Sequence, residues 1–103
     1  MQVLFNYHAG VSHSDTLEDH ARHQIDHSIG RHAGRVTRVE VHIADDNAHK
    51  HGPSDKRCML EARPAGMHPI AVESRAADFY AAVSDAAGKL GRALAHRLER
   101  KAI

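Results

Sequence analysis

The chain has no tryptophan, a single cysteine and only four aromatic residues, Phe5, Tyr7, Phe79 and Tyr80. Each shortage closes off a class of function. Proteins that hold single-stranded nucleic acid by stacking display several exposed aromatic rings, and four are too few to build such platforms. One cysteine, Cys58, excludes an internal disulfide framework and every multi-cysteine zinc site. The longest unbroken apolar run covers residues 79–83, far short of the ~20 residues that span a bilayer. The start, MQVLFNYHAG, lacks the basic segment and apolar stretch of a secretory signal, so a cytoplasmic protein is expected. There is no phosphate-cradling glycine loop, no nucleophile elbow and no HExxH pattern, and Cys58 falls on the expected inward side of a strand. These absences argue against an enzyme, and no cofactor is expected.

What remains is ordinary in bulk and unusual in one respect. A length of 103 residues leaves room for one domain, expected to cover residues 1–103. A hydrophobic fraction of 42% and a charged fraction of 26% suit a soluble globular chain with a modest two-layer core. The exception is histidine, with eleven copies. The formal net charge is +1 with these neutral. Half-protonating eleven unperturbed imidazoles near pH ~6.5 would add about five or six positive charges.

Patterning along the chain gives six elements. Residues 2–7 alternate, with Val3, Phe5 and Tyr7 on one side, and read as a short strand. Ser14 is a candidate N-cap for a helix running to about residue 32, with Asp15, Glu18 and Asp19 where the helix dipole favours negative charge. Leu17, Ala21, Ile25 and Ile29 form its apolar stripe. Residues 36–44 make the clearest strand, with Thr37, Val39, Val41 and Ile43 facing one way and Arg38, Glu40 and His42 the other. Residues 45–55 are polar with a Gly-Pro pair and read as a long loop. A third strand over 57–63 points Cys58, Leu60 and Ala62 inward, and Ile70 and Val72 continue as the inward side of a fourth. From residue 76 the period becomes helical to about 101, burying Phe79, Val83, Ala86, Ala87, Leu90, Leu94 and Leu98.

The order β-α-β-β-β-α implies an α+β two-layer sandwich: a four-stranded sheet with both helices on one face. The first two strands should be parallel through a crossover and the rest an antiparallel meander. The opposite face, carrying Arg38, Glu40, Arg57, Glu61, Arg63, Glu73 and Arg75, reads as a solvated surface of cross-strand pairs.

Two clusters carry the candidate chemistry. On the last helix Lys89, Arg92, His96 and Arg100 recur every three or four residues, opposite the leucines, while Arg97 and Lys101 flank the buried stripe. With Glu99 the only acid after Lys89, this segment carries a local charge of +4. A solubilising face explains it, and so does a rod of cations matched to a nucleic-acid backbone. No base-reading motif accompanies it, so recognition would be of shape and backbone, as with folded RNA. On the first helix His20, His23 and His27 form a row beside Asp19 and Asp26. Histidines four apart can share a metal, yet without a cysteine or a zincin signature no metal site is assigned. The group His42, His49, His51 and Cys58 is weaker still, because the intervening loop is unconstrained.

The whole β-α-β-β-β-α order, the segment Asp78-Phe79-Tyr80-Ala81-Ala82-Val83 and the following Lys89-Leu90-x-Arg92-x-Leu94 with its basic tail resemble the ribosome hibernation promoting factors. That family is also called the ribosome-associated inhibitors or sigma-54 modulation proteins. The strands at Val39-Glu40-Val41 and Ile70-Ala71-Val72-Glu73 fit it as well. The resemblance implies a double-stranded-RNA-binding-like fold. It also implies docking in the mRNA/tRNA channel of the small ribosomal subunit, contact with 16S rRNA, and steric inhibition of translation under stress or in stationary phase. Carried over by position, the rRNA contacts would be Lys89, Arg92, Arg97, Arg100 and Lys101, with His96 in the same row and Arg22 and Arg31 from the first helix. The chain ends before the C-terminal dimerisation module of the long members, so a monomer is expected. The alternatives are a histidine-rich metal-binding protein or a protein-interaction module on the same fold. In this family setting the histidines predict binding that tightens as pH falls from about 7.5 to 6. Gly88 and Gly91 interrupt the last helix, at roughly 1 kcal/mol each relative to Ala.

Overall fold

A computed structural model describes residues 1–8, 10–46 and 55–99. The elements are β1 (Gln2–Tyr7), α1 (Asp15–Ile29), β2 (Val36–Asp45), β3 (Lys56–Pro64), β4 (Ile70–Ala76) and α2 (Phe79–Glu99), with a 3-10 stretch over Gly30–Arg35 between α1 and β2. They form one four-stranded sheet in the order β1-β2-β3-β4. β1 and β2 are parallel, whereas β3 is antiparallel to both β2 and β4. This is the α+β sandwich that the alternation pattern implies.

Local chemistry accounts for the helix ends. Ser14 Oγ accepts the Leu17 N–H at 3.2 Å, and Asp15 and Glu18 occupy the first turn of α1. Tyr7, at the end of β1, donates its hydroxyl to Glu18 at 2.9 Å and so ties strand to helix. α1 ends at Gly30, whose φ of +55° is open to glycine at little cost and lets the chain turn away. Asp78 begins α2, its carboxylate accepting the Ala81 N–H at 2.8 Å. The core is a single cluster in which Leu17, Ala21, Ile25 and Ile29 of α1 and Val83, Leu90, Leu94 and Leu98 of α2 meet Val39, Val41, Ile43, Cys58 and Leu60 of the sheet. Because strand side chains alternate, burial of that set leaves the other sheet face open. Among the described residues no helix is long and apolar enough to cross a membrane.

Three expectations change. Thr37 is exposed and Val36 is buried instead, because the β2–β3 register shifts between Val36 and Arg38. Thr37 is the extra residue of that irregularity, and its hydroxyl donates to the Arg63 carbonyl at 2.9 Å. Residue 76 is the end of a strand rather than the start of a helix: Ser74 continues the inward side of β4 and donates its hydroxyl to Asp85 at 2.6 Å, and the helix starts at Phe79. The loop expected over 45–55 is shorter at its base, since Asp45 belongs to β2 and the Asp46 N–H donates to the Asp55 carbonyl at 2.8 Å. Residues 47–54 lie outside the described residues.

The open face is ordered in rows across the strands. Arg38 stands opposite Arg63, Glu40 opposite Glu61, and Arg57 opposite Arg75. Like charges therefore face each other directly, an arrangement that repels unless neighbouring rows compensate. They do. Arg38 reaches Glu40 at 3.0 Å, Arg63 reaches Glu61 at 3.3 Å, and Arg57 reaches Asp46 at 3.0 Å and Glu73 at 3.4 Å. Arg75 also bonds Asp46 and lies 3.7 Å from Glu73. The hydrogen bond from Arg57, followed by the charges of Arg57 and Arg75, holds the Asp46 carboxyl below its ordinary range. The pairs run along and diagonally between strands instead of directly across.

Cys58 is fully buried against the helices, and burial pushes its thiol up to about 12. The native protein should not react with an aromatic disulfide reagent at about pH 8, yet should react within the mixing time in denaturant. Stability should fall as pH rises above the ordinary thiol value of 9.0, because the unfolded thiol ionises there and the folded one does not. Prompt labelling of the native chain would show that the β3 face is not sealed.

Candidate nucleic-acid interface

The two helices run in the same direction. Thr16 Oγ1 meets the Tyr80 hydroxyl at 2.8 Å near their starts, and His20 Nε2 lies 2.9 Å from Ser84 Oγ. Further along, Gly91 packs on Ser28, and Arg31 and His32 both reach Glu99 at 2.6 Å near their ends. Parallel helices add their dipoles, so one end of the helix layer is positive and the other negative. The side chains follow this rule. The N-terminal end holds Asp15, Glu18, Asp78 and Asp85, while the C-terminal end holds His27, Arg31, Arg35, His96 and Arg97 with Asp26 and Glu99 among them. Beneath the basic end lies the Arg38–Arg63 row of the sheet. Not every histidine adds to that end: His13 sits at the acidic one, where its hydrogen bond to Asp15 holds its pKa above the ordinary imidazole value.

The cations differ in whether they are already satisfied. Lys89 donates to the Glu73 carbonyl at 2.9 Å, with Asp85 at 3.8 Å, and Arg97 donates to the His68 carbonyl at 2.8 Å. Both are thereby pinned to β4 and the turn before it. Arg22 lies 3.8 Å from Glu18 and 5.0 Å above the Phe5 ring, so it covers the β1 side of α1. Arg31 shares Glu99 with the nearly buried His32. Among the described residues, Arg35 and Arg92 are the arginines whose side chains make neither a hydrogen bond nor an ion pair, and both are exposed. His96, one turn beyond Arg92, is exposed and unpartnered too. Arg100 and Lys101 lie outside the described residues.

The row Lys89, Arg92 and His96 thus stands on the outer side of α2, as its spacing predicts. Arg35 was invisible to pattern reasoning, since the 3-10 stretch that carries it has no helical or strand period. Its one sequence signal is the concentration of Arg31, Arg35 and Arg38 just past the end of α1.

The histidine row of α1 does not stay together. His20 turns into the seam between the helices, with Nε2 3.2 Å from the Tyr80 carbonyl and its ring edge-on to Tyr80 at 5.1 Å. With the Ser84 hydroxyl and the Tyr80 carbonyl both against Nε2, that nitrogen is occupied inside the helix seam and is turned away from His23 and His27. His23 and His27 remain exposed. His42 and Cys58 lie on opposite faces of the sheet, which separates the other proposed group, and His49 and His51 lie outside the described residues. Among the described residues no group of three or more His, Cys, Asp or Glu is placed to hold a metal ion.

This arrangement of sheet and helices has relatives among known proteins. The profile of the family described as "Sigma 54 modulation protein / S30EA ribosomal protein" matches residues 6–102. The chain belongs to this family. S30EA-family proteins are ribosome-associated modulation factors and not enzymes. Solved structures share the fold, two of which illustrate it. A ribosomal subunit interface protein from Coxiella burnetii superposes with a TM-score of 0.79 at 16% identity, covering 97% of this chain and 100% of that one. The N-terminal domain of Thermus thermophilus Protein Y superposes with a TM-score of 0.67 at 18% identity, covering 90% and 91%. Among curated proteins, none matches this S30EA-family chain in sequence.

Proposed function

We propose that this S30EA-family chain binds the small ribosomal subunit in its mRNA/tRNA channel, contacts 16S rRNA, and holds the ribosome inactive under stress or in stationary phase. It acts in the cytoplasm as a monomer. The observation that carries this reading is the contrast between two surfaces. The arginines of the open sheet face are neutralised by neighbouring carboxylates, whereas Arg35 and Arg92, with His96, stand exposed and unpaired at the end where both helices terminate. An unpaired exposed cation gains most from a phosphate, since no existing ion pair has to be broken and bound counterions are released. Lys89 and Arg97 flank this surface, and Arg31 contributes once Glu99 is displaced. Arg22, held over Phe5, lies at its margin. Arg100 and Lys101 continue the same basic sequence.

The domain offers no aromatic platform, so contact is with backbone and shape. The inhibitory mechanism is occlusion: a rigid body of this size occupies space that messenger and transfer RNA need, with no reaction required. Co-sedimentation with 30S and 70S particles at two salt concentrations tests the reading. Wild type should pellet with 30S and 70S and lose affinity with salt. An Arg35→Ala/Arg92→Ala/His96→Ala variant should bind more weakly, with the salt slope reduced by about one for each phosphate contact removed. A folded wild type that stays in the supernatant even at low salt would overturn ribosome binding and leave a protein-interaction module as the reading.

A further inference from the structure

His8 and His42 meet on the open sheet face, away from the basic end of the helices. His8 follows β1, and its N–H donates to the Ile43 carbonyl at 3.0 Å, which continues the parallel ladder by one step. Asn6 is the direct partner of His42 in that ladder. His8 is therefore the diagonal neighbour of His42 on the same face. His8 Nε2 lies 3.3 Å from His42 Nδ1. The far nitrogen of His42, Nε2, lies 3.7 Å from Glu40 Oε1.

We propose that His8 and His42 form an open two-histidine site for a divalent transition metal of the zinc, nickel or copper class. Three features point there. The separation matches: two nitrogens bound at ~2.0–2.1 Å to one tetrahedral ion stand about 3.3–3.4 Å apart. The protonation pattern matches as well. Glu40, which also pairs with Arg38 and stands 3.7 Å from His42 Nε2, favours the proton on that nitrogen through its charge and leaves the Nδ1 lone pair toward His8. The mounting is rigid on one side and adjustable on the other. His42 is half-buried in the centre of β2, whereas His8 is exposed just past the end of β1, so its ring can swing until both lone pairs converge. In the metal-free chain the same two nitrogens share one proton as a hydrogen bond.

Two protein ligands leave the remaining coordination positions to water or to a donor from outside. Such a site binds and exchanges its ion and does not hold the fold together. Affinity should follow the ordinary ranking of imidazole sites, with copper(II) above zinc.

The test is titration of the full chain with Zn²⁺ at about pH 7.5, followed by calorimetry and by imidazole nitrogen shifts in NMR. One equivalent should bind, shifting the His8 and His42 resonances together. His8→Ala, which alters only an exposed side chain, should abolish that equivalent while leaving the circular dichroism spectrum and the melt unchanged. Glu40→Gln should weaken it a few-fold, by removing the negative charge beside His42. A variant with His23, His27, His49 and His51 all replaced by Ala should retain it. Loss of binding in that fourfold variant with retention in His8→Ala would overturn the assignment. So would the absence of any stoichiometric uptake by folded wild type.

Discussion

Replacing Gly91 with Ala should destabilise the domain by about 2–3 kcal/mol, the upper part of the range for forcing extra atoms into a packed interior. A methyl group built there would sit 3.0 Å from the Ser28 carbonyl carbon, 3.1 Å from its Cβ and closer still to its carbonyl oxygen. The obstruction is the backbone of α1, which cannot rotate aside as a side chain can. The helices would have to separate, loosening the packing of Ile25 and Ile29 against Leu90 and Leu94. For a chain of this size each kcal/mol is worth roughly 4–8 °C, so the melting midpoint should drop by about 8 °C or more. Gly88, one turn earlier, is the internal control. A methyl there meets only the end of the flexible Arg92 side chain at 3.4 Å. Gly88→Ala should therefore stabilise the domain by roughly 1 kcal/mol, the helix-propensity gain alone. Equal melting temperatures for the two variants would show that the close approach of the helices is not maintained in solution.

Charge reversal at the unpaired arginines should have the largest effect on binding. Arg35→Glu and Arg92→Glu together should weaken association with 30S particles by on the order of 100-fold, about 1.4 kcal/mol for each tenfold step. Each substitution should cost little stability, because neither side chain has a partner to lose. Arg75→Ala on the open face is the matched control. It removes contacts with Asp46 and Glu73 that are partly exposed and worth at most about 1 kcal/mol, and it should leave ribosome affinity within about twofold. An equal loss from Arg75→Ala would transfer the interface to the sheet.

The order of elements was legible because each strand of the meander pairs an apolar side with a charged one, and each helix repeats its apolar residues every three or four positions. Those periods are backbone geometry written into the sequence. The misread positions are those where a neighbour in space overrides the local pattern. Thr37 continues the alternation of 37–43 perfectly well, and only the Pro64 end of β3 shifts it outward. Ser74 looks like a polar outward residue until Asp85 supplies its hydrogen bond. The role of Gly91 is set by Ser28, sixty-odd positions earlier. The candidate site divides in the same way. The cationic row of α2 was visible in its spacing, because that spacing is helical. Which cations were already bound to carbonyls or carboxylates was not, since Glu73, His68 and Glu99 reach them only in the folded chain. The histidine row of α1 was equally visible as a row, yet His20 leaves it for a partner on α2.

The charged side chains at the two ends of the helix layer, acidic at the helix starts and basic at their ends, outweigh the opposing helix dipoles, and their separation has a kinetic consequence. A molecule whose net charge is only +1 is drawn weakly toward an anionic wall as a whole, but its unlike ends experience a torque. Diffusing near such a wall, it turns before it touches and arrives with the end bearing Arg35 and Arg92 in front. Fewer encounters are then wasted in the wrong orientation, and the gain fades as added salt shortens the Debye length below the distance between the ends. Added salt would therefore slow arrival as well as loosen the phosphate contacts, so loading should be fastest where ionic strength is lowest.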